Sequence, residues 1–246
     1  MPILDAAISF AAILAVLVVS GFIARALCDN PRNDPIYGIV HLFAWCYLRL
    51  MHKPIYTGLE HVPLVDGKPT LFVCNHTAGL DPVLVHIASK HDVRWMMALD
   101  MRSPRFNWFW EWIRIIDVDR VEGDSTSARE AMRHLATGGS VGIFPEGGLE
   151  RPPKQLIRFV AGVGLIIKKS RARVVPVVIE DTPQVDPAFA SLWHKSRSRV
   201  TFYEPIDYTI TGMSAKQITE DLFGRFTMWT GWPINEQPNG ALSEVA

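Results

Sequence analysis

A histidine stands five residues ahead of an aspartate in Asn75-His76-Thr77-Ala78-Gly79-Leu80-Asp81, directly after the apolar run Leu71 to Cys74. A neutral imidazole can take a proton from an alcohol near neutral pH. A carboxylate on its other nitrogen would fix the tautomer and stabilise the imidazolium that forms. The pair needs no serine or cysteine nucleophile, so it suits a hydroxyl that the substrate itself brings. His76 and Asp81 are therefore the candidate catalytic residues. Two plainer readings compete. Asp81 precedes Pro82 and could cap a helix, with proline at the favoured first helical position. His76 could be a satisfied core histidine. The same spacing recurs at His61 and Asp66, inside Gly58 to Gly67, a stretch that reads as a loop.

A second group of residues lies in Gly142-Ile143-Phe144-Pro145-Glu146-Gly147-Gly148. A glycine pair after a strand lets backbone N–H groups approach an anion or a carbonyl oxygen. Glu146 can accept from hydroxyls or pin an arginine; the alternative is a plain Pro-Gly turn. From Arg151 to Ile179 the chain has no acid but carries Arg151, Lys154, Arg158, Lys168, Lys169, Arg171 and Arg173. Such a run suits an anionic lipid surface or a phosphorylated substrate, although Lys168 and Lys169 read as a solvated helix face.

These residues must be positioned by a sizeable scaffold. The chain has 246 residues, 25 Lys plus Arg against 25 Asp plus Glu, and three scattered cysteines. Balanced charge gives no global bias toward nucleic acid, and the cysteine spacing offers neither a disulfide framework nor a zinc site. From Ile55 onward, strand-like and helix-like segments alternate. Thr70–Cys74, Val93–Leu99, Ile115–Val118, Ser140–Phe144, Arg173–Ile179 and Arg199–Glu204 read as strands. Pro82–Lys90, Ser103–Arg114, Ser125–Ala136, Leu156–Lys169 and Ser214–Trp229 read as helices. The alternation predicts an α/β fold, a mostly parallel or mixed sheet flanked by helices.

Ahead of this lies an uncharged stretch, Ala6 to Ala24. Nineteen helical residues at about 1.5 Å each match a hydrocarbon core of about 30 Å. No cation precedes it, which argues against a cleaved signal peptide. Arg25 and Arg32 follow it, so the remainder would stay on the cytoplasmic side. The expectation is an N-terminal membrane anchor helix, single-pass or embedded from one side. Tyr37 to Met51, with Trp45, Tyr47 and Arg49, suits a helix in a membrane interface or an ordinary core helix.

Four blocks in order then resemble the glycerolipid acyltransferases, the lysophosphatidic-acid or 1-acylglycerol-3-phosphate acyltransferase family. They are Asn-His-x4-Asp at 75–81, Ile116-Asp117-Val118-Asp119-Arg120, Phe144-Pro145-Glu146-Gly147, and Val175-Pro176-Val177-Val178-Ile179. Gly58 to Pro63 looks like the family's lead-in, and the resemblance covers about residues 37–230. It implies transfer of a fatty acyl group from acyl-CoA or acyl carrier protein to a lyso-lipid hydroxyl, with 1-acylglycerol 3-phosphate as default acceptor. His76 would be the base and Asp81 its partner. Asn75, Arg120, Glu146, Gly147, Gly148, Arg151 and Arg158 would contact substrate. The resemblance implies neither a metal nor a redox cofactor; the partners are membrane lipids and the acyl donor. It divides the chain into an anchor (1–27), a linker with an interfacial helix (28–54), an acyltransferase domain (55–232) and a tail (233–246).

The chain departs from the family pattern in three places. Arg114 stands near the position where the second block opens with glycine. Gly148-Leu149 replaces the Thr-Arg that follows Glu-Gly, and the arginine of that pair is expected to grip a phosphate. Phe159-Val160-Ala161-Gly162 lacks the lysine of Phe-Lys-x-Gly. The acceptor is therefore less fixed than the chemistry. The alternatives are another lyso-lipid, an aminolipid or a glycolipid as acceptor, a thioesterase, or a non-catalytic lipid-binding member of the fold.

Overall fold

The uncharged N-terminal stretch lies within one helix, α1 (Pro2–Cys28), and the segment after the linker forms a second, α2 (Pro35–Met51). The linker is ordered by Asn30, whose side chain donates to the carbonyls of Leu27 and Asp34 and accepts from the Arg32 amide. Asp34 caps α2 by accepting from the amides of Ile36 and Tyr37, with Pro35 at the first helical position. The structure, a computed structural model, describes residues 2–119 and 125–236. The chain divides into two compact units, 1–46 and 47–246. That division falls inside α2, ahead of the 54/55 boundary expected from the sequence. Within α1, Ser9–Cys28 is long and apolar enough to cross a membrane and is 0 % buried.

In the larger unit the elements run β1 (Ile55–Thr57), β2 (Thr70–Cys74), α3 (Asp81–Ser89), β3 (Val93–Ala98), α4 (Asn107–Trp112), β4 (Ile116–Val118) and α5 (Ser125–Ala136). They continue with β5 (Ser140–Ile143), β6 (Leu156–Ile157), α6 (Gly162–Ser170), β7 (Arg173–Glu180), β8 (Arg199–Phe202), α7 (Ala215–Thr230) and β9 (Ile234–Asn235). Among the described residues the main sheet has seven strands in the order β1-β8-β7-β2-β5-β3-β4. Every pairing is parallel except β7 with β8, which is antiparallel. The fold is thus the mixed α/β sandwich that the alternation predicts.

Strands β2 and β5 are buried along their whole length, as sheets covered on both faces require. Leu71, Val73, Val141, Ile143, Val174 and Val178 pack with α5, α6 and α7 in one cluster. On the opposite face Phe72 meets the ring of His91, just past α3, edge to face at 5.3 Å. Ser214 caps α7 and forms a reciprocal capping box with Gln217.

Leu156 to Lys169 is not one helix. Leu156 and Ile157 are extended and pair with Ile234 and Asn235, and helix begins only at Gly162. The Leu156 amide is taken by the Pro233 carbonyl and the Ile157 amide by Glu146, and the Val160 amide, which would close a first helical turn on the Leu156 carbonyl, donates to the Pro145 carbonyl at 2.8 Å instead. The same pairing makes β6 and β9 a separate two-stranded sheet. Ser103 to Arg114 is helical in two pieces, a 3₁₀ turn at Pro104–Phe106 and then α4.

Candidate active site

Three loops converge at the C-terminal ends of β2, β5 and β7, the usual ligand-binding edge of a parallel sheet. The first carries the histidine–aspartate pair. His76 Nδ1 lies 3.0 Å from Asp81 Oδ2. An ionised carboxylate only accepts, so Nδ1 holds the proton and Nε2 is left as the base. Nε2 makes no hydrogen bond among the described residues, and the side chain is 21 % exposed.

Asp81 is fully buried, and the donors its charge requires are in place. Oδ2 also accepts from the amides of Thr77 at 2.6 Å and Ala78 at 2.8 Å, and Oδ1 accepts from Thr77 Oγ1 at 3.0 Å. The Thr77 hydroxyl is held in turn by Thr182. These amides precede α3, so the carboxylate turns back onto the loop and is not a helix N-cap. The rival pair is not formed. Asp66 binds Arg173 at 2.7 and 3.1 Å, while His61 lies 3.8 Å from Glu60.

The second loop braces the histidine from below. Glu146 is buried; one carboxylate oxygen accepts from the His76 amide and the other from the Ile157 amide, both at 2.9 Å. Burial pushes its carboxyl up to about 8, although the two amide bonds pull the other way. The Glu150 amide donates to the His76 carbonyl at 2.7 Å, and burial pushes the Glu150 carboxyl up to about 7. The His76 peptide is thus pinned on both sides.

The imidazole lies over the Phe144 ring, centroids 4.0 Å apart at 19°, and Phe144 stacks on Trp95 at 5.1 Å. The indole fits because Gly142 carries no side chain; a Cβ there would come within 2.4 Å of it. Sequence reasoning missed Trp95, which bears no motif and is identified only by the β3–β5 register that places it opposite Gly142.

The residues expected to contact substrate separate into distinct roles. Asn75 is fully buried. Its amide accepts from the Ile179 N–H at 2.7 Å and donates to the Ile179 carbonyl at 2.9 Å, acting as one more rung between β2 and β7 rather than as a ligand. Glu146 faces backbone instead of an acceptor hydroxyl or an arginine. The Gly147 amide is used in the turn, donating to the Phe144 carbonyl at 3.1 Å, and its φ of 70° suits glycine. Gly148 is buried next to it, and its amide makes no bond among the described residues.

Arg151 does reach the catalytic loop. Its guanidinium donates to the carbonyls of Thr77, Glu150 and Val185 and pairs with Asp186 at 3.3 Å, so four of its N–H groups are committed. Arg158 is exposed, pairs with Glu236 at 3.1 Å and packs over the Phe223 ring of α7. Arg120 lies outside the described residues. Arg114, near where the family places glycine, adopts φ 59°, the left-handed region that such a position favours.

An imidazole oriented by a buried carboxylate, at the edge of an α/β sheet, has the geometry that a general base for hydroxyl activation requires. The family model "Acyltransferase" matches residues 53–180, and the chain belongs to that family. Its fold is similar to the crystal structure of the 1-acyl-sn-glycerophosphate (LPA) acyltransferase PlsC from Thermotoga maritima. The match has a TM-score of 0.66 at 19 % identity and covers 91 % of each chain. No curated protein sequence matches this chain.

Proposed function

We propose that this protein is a membrane-associated O-acyltransferase that moves a fatty acyl group from acyl-CoA or acyl carrier protein to the hydroxyl of a lyso-lipid. The observation that carries this reading is His76, with Nδ1 on Asp81 and Nε2 unoccupied. The acceptor O–H gives its proton to Nε2 as its oxygen attacks the thioester carbonyl. The C–S bond then breaks and the leaving thiolate takes the proton from the imidazolium. No acyl-enzyme forms and no metal or redox cofactor takes part. We place α1 in the membrane and, because Arg25 and Arg32 follow the apolar run, the catalytic unit on the cytoplasmic side.

The default acceptor is 1-acylglycerol 3-phosphate, supported by the block order, by Arg120 in the second block and by the likeness to the Thermotoga maritima 1-acyl-sn-glycerophosphate acyltransferase. A second reading, the same chemistry on an acceptor without a phosphate monoester, is favoured by a specific observation. Leu149 stands where an arginine is expected, and Arg151 and Arg158 are already engaged by protein groups. The test is to incubate detergent-purified protein with labelled acyl-CoA and a panel of phosphorylated and unphosphorylated lyso-lipids. Labelled phosphatidic acid as the main product supports the default. Preferential labelling of another lipid establishes the second reading, and no labelled lipid from any member of the panel overturns both.

A further inference from the structure

The catalytic loop is bordered by a 3₁₀ turn, Ala188–Trp193. A Cβ on Gly79 would come within 2.6 Å of the Ala188 carbonyl oxygen, so loop and turn meet backbone to backbone. Phe189 in that turn meets Trp110 of α4, ring centres 5.8 Å apart. Helix α4 itself continues from the turn at Pro104–Phe106. The two turns and α4 therefore form one rim beside His76.

Three large rings carried by these segments are exposed. Trp193 is 74 % exposed, Trp108 68 % and Phe106 52 %. Three large rings left in water beside a functional site call for an explanation by what covers them. The charge around them supplies it. Across residues 101–112 and 187–203 the one acid is Glu111, which is exposed and pairs with Arg102 at 3.7 Å. Arg105, His194, Lys195 and Arg197 are exposed there, and Arg105, Lys195 and Arg197 make no ion pair among the described residues. The basic run downstream of the site behaves differently. Arg151, Lys154, Arg158 and Arg173 pair with Asp186, Asp181, Glu236 and Asp66. Among the described residues, Arg105, Lys195 and Arg197 thus add unpaired positive charge beside the exposed rings, while Arg151, Lys154, Arg158 and Arg173 are neutralised and only Lys168, Lys169 and Arg171 of that run are left unpaired.

Exposed tryptophan interleaved with lysine and arginine matches the headgroup layer of an anionic bilayer. Indole rings settle at the interface, and cations there meet lipid phosphates. A protein partner fits less well, because the buried centres of protein interfaces are depleted of lysine. We propose that the rim formed by Pro104–Trp112 and Ala188–Arg197 is a membrane-contacting surface of the catalytic unit itself, seating the mouth of the His76 site on anionic lipid. This inference rests on the lyso-lipid acceptor reading and deepens it. The acceptor would reach His76 by sliding along the headgroup layer rather than through water.

Depth labelling of the full chain tests it. With Cys28 and Cys46 changed to serine and the buried Cys74 retained, a fluorescent label is placed at Trp193→Cys or, as control, at Lys216→Cys on α7. The protein is reconstituted in phosphatidylcholine vesicles with about 30 % phosphatidylglycerol. The expected result is a label at 193 quenched by a lipid-borne quencher and shielded from a water-soluble one, with the reverse at 216. Kinetics supply the second arm. Lys195→Gln with Arg197→Gln should lower turnover of vesicle-borne acceptor at least roughly fivefold, and leave turnover of a dispersed short-chain acceptor within about twofold. A label at 193 as open to the water-soluble quencher as that at 216 overturns the proposal. So does equal loss on dispersed acceptor, or a label shielded in lipid-free protein by a second copy of the chain. If the parent acylates no lipid, the acyl-transfer reading fails while the label still reports on the surface.

Discussion

The loop after β2 and the loop after β5 meet at His76, yet they are built to different standards. After β2, His76 and Asp81 keep the spacing the chemistry needs, and every contact around Asp81 serves its charge. After β5, the Glu146 carboxyl and the Glu150 backbone amide hold the His76 peptide. The guanidinium of Arg151, which reaches the catalytic loop, is occupied by backbone carbonyls and Asp186. Proton transfer depends on a geometry that cannot be varied, whereas acceptor recognition can be rebuilt from other residues. The histidine–aspartate block thus follows the family pattern, while the block that would meet the acceptor departs from it at Gly148-Leu149.

The sharpest way to break the comparison is at its fixed end. His76→Ala should lower turnover by roughly 10²–10⁴-fold, the range for losing a general base, with little change in melting temperature. Asp81→Asn should also lower turnover, since its amide can present a donor to Nδ1 where an acceptor is needed. Steady-state rates with matched thermal melts check both.

The brace under His76 is the next largest effect and carries a pH signature. The folded Glu146 carboxyl titrates near 8, above the ordinary carboxylate value of about 4.3. Between those values the folded state binds more protons than the unfolded one, so stability falls as pH rises through the window. Glu150, near 7, adds to the same slope. Melting temperature should therefore decline from about pH 5 to pH 8. Glu146→Gln should flatten the decline, leaving the Glu150 part that ends near pH 7. A melting temperature that rises with pH over this range in the parent would contradict the buried, neutral state of the brace.

Arg151 sharpens the comparison from the variable side. If it braces Thr77, Arg151→Ala should cut turnover about tenfold with phosphorylated and unphosphorylated acceptors alike, as loss of charge-assisted bonds worth about 1.5–3 kcal/mol implies. If it grips phosphate, only the KM for phosphorylated acceptors should rise. Saturation curves for the two acceptor types separate these outcomes, and Arg158→Ala should do neither. The smallest effect is expected at the decoy: His61→Ala should leave turnover unchanged, because Asp66 is committed to Arg173.

Much of this was legible from residues alone. The buried strands and helices fall close to their expected bounds because period and turn signals agree there; Ser125–Ala136 and Ser214 before α7 are examples. The stretch from Leu156 misled because its apolar spacing suits a helix, while what decides its form is remote: it pairs with Ile234–Asn235, and the Pro145 carbonyl takes the Val160 amide that a helical turn would need. For the same reason Asn75 and Glu146 were readable as site residues but not as braces. A side chain's partner across the sheet leaves no trace in local spacing. Trp95 was invisible because only strand register brings it over Gly142. The preference of position 114 for glycine was legible through the family pattern, and the φ of Arg114 gives its physical reason.

The central claim is direct, His76-driven transfer to a substrate hydroxyl, and single-turnover thiol release tests it most directly. Purified protein in excess is mixed with labelled acyl thioester, with and without a lyso-lipid acceptor. Without acceptor, direct transfer gives no thiol burst and no label on the protein. With acceptor, one thiol should appear per acylated lipid, and His76→Ala should abolish both. Thiol released without acceptor, label retained covalently on the protein, or undiminished transfer by His76→Ala would contradict it.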